Sequence, residues 1–199
     1  SDWFNVSITV TAVNDKPTMS GLESTTLAYT ENAAAVNISQ AITTSDVDDT
    51  NLSGATVSIT GYVASEDQLT FTNTASISGA WNSTSGALTL TGAATLADYN
   101  TALRSIKYQN TSENPTTTAR QIAIFVTDGT DVSTTLSRTL QVTAVNDATK
   151  PPNFSLSTKD NLAKDIDMSS RITDAENNIS WTTLTVSQQP TKGTVNVNK

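Results

Sequence analysis

The sequence predicts an all-β fold: a sandwich of about seven or eight short strands with one short helix, set in a tandem array. Three observations carry that prediction. Thr, Ser and Asn are abundant while Lys and Glu are sparse, a composition that favours strands and turns over helices. Short runs of alternating apolar and polar residues recur along the chain, with Asp, Asn, Gly and Ser between them. Finally, Val10-Thr11-Ala12-Val13-Asn14-Asp15 returns as Val142-Thr143-Ala144-Val145-Asn146-Asp147, 132 residues later (142 − 10), and identity at a fixed offset marks a repeat.

The residues before each copy match in kind. Both 4–9 and 136–141 alternate apolar with polar side chains, as a half-buried strand must. Each copy therefore reads as a last strand running into a linker. The chain parses into the last strand of a preceding repeat (1–14), a complete domain (15–147) and the N-terminal part of a following, incomplete repeat (148–199).

Within the complete domain, strand-like runs fall at 36–42, 55–62, 69–71, 87–90, 106–108, 121–126 and 134–142, a number and spacing that suit a sandwich. The stretch 95–106 breaks the pattern. There Leu96, Tyr99, Leu103 and Ile106 follow helical spacing after a Thr-X-X-Asp start, which predicts a capped helix crossing over the core. In the third piece, 181–186 and 193–197 alternate as strands around a turn at 188–192. That piece has half the strands a sandwich needs, so its open edge is expected to pair. The 1–14 strand of a neighbouring molecule would complete it in head-to-tail self-association.

Composition excludes several functions. The 199 residues contain neither Cys nor His, which removes disulfide frameworks, Cys/His zinc sites, Ser-His-Asp triads and histidine acid–base chemistry. A unit of roughly 130 residues still buries well over half of its unfolded surface, enough for a real core. The net charge of −8 argues against nucleic acid, whose phosphates need clustered Lys and Arg. No run reaches the roughly 20 apolar residues of a membrane span, and the N-terminus lacks the regions of a signal peptide. The expectation is a mature extracellular or cell-surface piece of a longer protein, with no membrane insertion of its own.

The usable groups are carboxylates, amides and hydroxyls, and the acids concentrate at Asn14-Asp15, Glu31-Asn32, 46–51, 128–131, Asn146-Asp147 and 174–177. Strand order places Asp15, the 46–51 loop and the 128–131 hairpin at one pole. Glu31 falls at the other with Asn146, Asp147, Asp174 and Glu176. Crowded carboxylates repel, and Ca²⁺ relieves that by taking six to eight oxygen ligands from carboxylates, amides and carbonyls. The plainer reading is that Asp46 and Asp128 make Asx turns, with Asp49 and Asp131 the weakest candidate ligands. A glycosidase needs two acids across a cleft, for which no local signature exists, so a non-enzymatic role is expected. Trp81 and Tyr62 offer the alternative of a carbohydrate-binding module in a secreted polysaccharide-targeting protein. Asn37, Asn82, Asn110 and Asn178 begin glycosylation sequons.

Three of these clusters resemble the motifs of bacterial cadherin-like repeats in large surface proteins and adhesins. Glu31-Asn32 resembles the Glu-Asn of the first strand. Asp46-Val47-Asp48 with Asn51 resembles the Asp-X-Asp loop and its downstream Asn, and Val13-Asn14-Asp15-Lys16-Pro17 the Asn-Asp-X-Pro linker. The second linker, Val145-Asn146-Asp147-Ala148, carries its prolines later, at Pro151 and Pro152. The stretch 88–110 is similar to variant repeats of long bacterial surface proteins, without the mid-domain Asp-X-Glu of animal cadherins, and Asp174-Ala175-Glu176 to another repeat of the class.

The resemblance implies a cadherin-like (Ig-like) sandwich in tandem, with one or two Ca²⁺ ions at each junction. The ligands it implies are Asn14, Asp15, Glu31, Asp46, Asp48, Asn51, Asp128, Asn146, Asp147, Asp174 and Glu176. It further implies a spacer role in cell adhesion. The partners would be neighbouring repeats and a carbohydrate or cell-surface protein.

Overall fold

In the computed structural model of the chain, residues 4, 7–150, 159, 162–179, 185–186, 188–189 and 194–197 are described. The chain divides into two compact units, Ser1–Ala144 and Val145–Lys199.

The first unit is mostly β-strand, in several sheets, with one helix. Its elements run β1 (Thr18–Ser20), β2 (Leu27–Thr30), β3 (Val36–Asn37), β4 (Thr43–Ser45), β5 (Asn51–Thr60), β6 (Asp67–Thr70), β7 (Ser78–Asn82), β8 (Ala87–Thr95), α1 (Leu96–Ser105), β9 (Lys107–Asn110), β10 (Arg120–Thr127) and β11 (Leu136–Thr143). The large sheet has the order β2-β11-β10-β5-β8-β7, a second sheet the order β3-β9-β6, and β1 pairs β4. Alternation along the strands sends Val57 and Ile59 of β5, Leu88 and Leu90 of β8, Ile122, Ile124 and Val126 of β10, and Leu140 and Val142 of β11 into one core. Leu69 and Tyr108 enter the same core from the second sheet. This arrangement is consistent with an all-β sandwich.

The expected helix forms. Thr95 caps it by accepting from the amide of Asp98, and Tyr99, Ala102 and Leu103 face the core, as side chains three and four residues apart must. Its polar face latches the segment around β4. Asn100 Oδ1 accepts from the Thr44 amide at 2.7 Å and Arg104 Nε donates to Ile42 O at 2.9 Å. The amide of Leu96 donates to Thr50 O at 3.2 Å. The helix thus holds both ends of the segment between β4 and β5.

Several expected strands differ in extent. The run at 36–42 yields only β3, because the Ser39 hydroxyl accepts from the amides of Ala41 and Ile42 and takes them out of any ladder. β1, β2, β4 and β7 were not expected from pattern. They are three to five residues long, and their ladder partners define them. In the segment 1–14, the described residues Phe4 and 7–14 lie in no strand.

A buried ionic network closes the opposite end of β10. Arg120, 2% exposed, donates from Nε to Asp67 Oδ2 at 2.7 Å and from Nη2 to Glu66 Oε2 at 2.9 Å. Its Nη1 donates to the carbonyls of Thr116 and Thr118, and Tyr108 donates its hydroxyl to Asp67 Oδ1 at 2.6 Å. Burial opposes ionisation of Glu66, but hydrogen bonds from Thr116 and Asn110 and the Arg120 charge outweigh it and hold its carboxyl below the ordinary value.

In the second unit the described residues contain one bridge, Lys150 to Thr173. The amide of Lys150 donates to Thr173 O at 2.8 Å, and Ile172 is buried. Of the strands expected at 181–186 and 193–197, residues 181–184 and 193 lie outside the described residues, as do Pro151 and Pro152. Residues 185–186 and 194–197 form no strand.

Candidate functional site: two acidic clusters

The first cluster forms where β10 ends. Thr127 of β10 pairs with Gly54 of β5, so the 128–131 turn lies beside the entry to β5 and hence beside the loop that leads into it. Gly129, at φ +113°, takes a conformation that side chains rarely adopt. That turn folds the Asp128 carboxylate back on its own backbone, and Oδ1 accepts from the amides of Thr130 at 2.6 Å and Asp131 at 2.7 Å. Across from it, Asp46 Oδ1 accepts from the amides of Asp48 at 3.2 Å and Asp49 at 3.0 Å. Both are Asx turns.

Each turn uses one carboxylate oxygen and leaves the other. Asp128 Oδ2 accepts from Asn14 Nδ2 at 3.1 Å, and the same amide group reaches Asp131 Oδ2 at 3.0 Å. The amide of Asp15 donates to Asp48 Oδ2 at 3.0 Å. Asp46 Oδ2 is buried with no hydrogen-bond partner. Asp46, Asp49 and Asp128 each bring one carboxylate oxygen within 4.8 Å of the others.

The electrostatics follow from those contacts. The Asp49 amide holds Asp46 below the ordinary carboxylate value, against partial burial and the field of Asp128. The Asp131 amide does the same for Asp128. Asp49 is pushed up by partial burial and then by the charges of Asp46, Asp48 and Asp128. A buried acceptor without a donor beside two further carboxylates is a cation-shaped imbalance. Were a cation held there, the oxygen-only donor set would suit a hard ion such as Ca²⁺ better than a nitrogen- or sulfur-seeking metal.

The second cluster, in the second unit, repeats part of this wiring with other residues. The amide of Asp147 donates to Glu176 Oε2 at 3.1 Å, as that of Asp15 does to Asp48. Asp174 Oδ1 accepts from the amides of Glu176 at 3.2 Å and Asn178 at 3.4 Å, the role of Asp46. Asn146 Nδ2 donates to Asp147 O at 3.0 Å, as Asn14 Nδ2 donates to Asp15 O at 3.2 Å, and Asn178 Nδ2 also donates to Asn146 Oδ1. Asp147 Oδ2, Asp174 Oδ2 and Glu176 Oε1 are buried without hydrogen-bond partners. A cavity of about 240 Å³ lies over Asp147, Ala148, Lys150, Thr173, Asp174 and Ala175.

Of the remaining candidates, Asn51 is exposed at the first position of β5. Glu31 is buried at the far pole of the first unit, its amide donating to Thr143 O at 2.9 Å. Asp49 and Asp131, the weakest candidates by sequence, stand inside the first cluster. Their signal was adjacency to Asp48 and Asp128 within tight turns. Trp81 and Tyr62 pack edge to face on each other, centroids 5.7 Å apart at 82°, with the Tyr62 hydroxyl donating to Ser83 O. Among the described residues, no helix is long and apolar enough to cross a membrane.

No protein-family model, curated protein or solved structure matches the chain.

Proposed function

We propose that the chain is a Ca²⁺-stiffened structural repeat of an extracellular surface protein, cadherin-like in fold, acting as a spacer in cell adhesion. The observation that carries this reading is the wiring of the linker residues Asn14 and Asp15 into the acidic turns at 46–49 and 128–131, around the unpartnered Asp46 Oδ2. A cation drawn to Asp46, Asp49 and Asp128 would tighten the same loops that grip the linker, and so fix the direction in which the chain enters the domain. The second cluster supports the reading, because the Asp147 amide donates to Glu176 as that of Asp15 does to Asp48, and Asn146 donates to Asp147 O as Asn14 does to Asp15 O. We read residues 148–199 accordingly as the start of a following repeat.

The test is thermal unfolding of the full chain with Ca²⁺ and with chelator, repeated for Asp46→Asn combined with Asp48→Asn. At free Ca²⁺ about ten times Kd, each occupied site adds about 1.4 kcal/mol. Ca²⁺ raises the midpoint of the parent chain, and the double variant loses the first cluster's share. An unchanged midpoint in all four conditions removes the metal from this account.

A further inference from the structure

The first unit's termini leave it at opposite ends. The chain enters beside the Asp46 and Asp128 turns and its last strand leaves at Thr143, beside Glu31. Among the named strands, β2 and β11 form the one parallel pair, in register from Leu27 opposite Leu140 to Thr30 opposite Thr143. The amide of Glu31 donates to Thr143 O and extends the ladder by one bond. Arg138 of β11 stitches the same seam. Its Nε donates to Thr25 O at 2.9 Å, and its Nη1 to Ile38 O at 2.7 Å and to Glu23 Oε2 at 3.4 Å.

Direction decides how such a seam bears load. β1 and β2 both run away from the entry end, and β11 runs toward the exit. Tension between the linkers therefore drags β2 backward and β11 forward along a shared axis. Parallel strands pulled this way slide against each other, so every ladder bond is loaded at once. An antiparallel hairpin pulled at its two open ends would break its bonds in turn.

We infer that the β2–β11 ladder, with Arg138 across its start, is a shear clamp that resists unfolding under tension. Its biological use rests on the spacer reading, but the geometry owes nothing to a metal.

Single-molecule pulling of the full chain in chelator tests it, and the absence of native Cys makes engineered anchors unambiguous. The exposed pair Lys16→Cys with Ala144→Cys applies shear. Ala34→Cys with Ala144→Cys opens the ladder from its Thr30–Thr143 end. If an anchor variant fails to fold, Ala12→Cys or Ala33→Cys replaces Lys16→Cys or Ala34→Cys. A high-force event is expected in shear and lost in the peeling geometry, and Arg138→Ala lowers the shear force alone. Equal forces in both geometries at one loading rate overturn the clamp. Because forced unfolding reports the unfolding barrier and no metal is present, this outcome is independent of whether the clusters bind Ca²⁺.

Discussion

The two acidic clusters share part of one hydrogen-bond plan, an Asp amide held by a turn acid beside an Asx turn. In the first, Asp46 lies between β4 and β5, with α1 holding Thr44 through Asn100 and Thr50 through the Leu96 amide. In the second, Asp174 follows, among the described residues, a bridge from Lys150 to Thr173. Yet Asp147 reaches Glu176 at 3.1 Å as Asp15 reaches Asp48 at 3.0 Å, with a longer acid in the same role. In both units an Asn-Asp linker and an Asp-X-acid turn assemble through short-range bonds.

The largest way to separate the two is to destabilise the first unit. Arg120→Met leaves the buried Asp67 carboxyl without its ion-pair partner, and breaking a buried pair in this way costs about 3–5 kcal/mol. Urea unfolding followed by circular dichroism should show that loss. Next, Asn100→Ala strips the acceptor from the Thr44 amide, for about 1–3 kcal/mol. It should weaken Ca²⁺ binding at the first cluster and leave the second unaffected, as read by residue-resolved Ca²⁺ titration.

A matched substitution sharpens the comparison further. Asp174→Asn should remove the second cluster's share of Ca²⁺-dependent stability, about 1.4 kcal/mol at free Ca²⁺ ten times Kd, and leave the shifts of residues 46–49 on titration unchanged.

Acid gives the smallest test. Glu66, Asp46 and Asp128 all ionise below their ordinary values in the folded chain. Their contribution is therefore complete above the unfolded carboxylate range and lost as pH falls through the lower folded values. Asp49, shifted upward, works in the opposite direction. The unfolding midpoint should decline below about pH 4, and Glu66→Gln should flatten that decline.

Much of the site was legible because its chemistry is local. Asp46 and Asp128 were open to two readings, turn formers or cation ligands, and the structure shows both turns. One oxygen of Asp46 makes the turn and the other is left without a partner. The helix at 95–106 was equally readable, since its cap and its apolar face lie within a dozen residues. Its grip on the acidic loop was not, because Asn100 and Thr44 are distant in sequence and each looks like an ordinary polar residue. Arg120 was invisible for the same reason. Nothing near it announces Asp67 or Glu66, and a lone arginine at the start of a strand reads as solvent-facing.

The repeated hexapeptide marks the boundary between the two kinds of information. Val10 and Val142 have the same neighbours on their C-terminal side, yet Val10 is 87% exposed and Val142 is 1% exposed. Alternation, caps, turn residues and the acidic spacing are properties of short stretches, and the sequence alone determined them. Which alternating stretch becomes a strand, which strand runs parallel to which, and which buried carboxylate meets Arg120 depend on partners far along the chain. Only the tertiary structure decided those, because a β-ladder and a buried ion pair exist only when the other half is supplied.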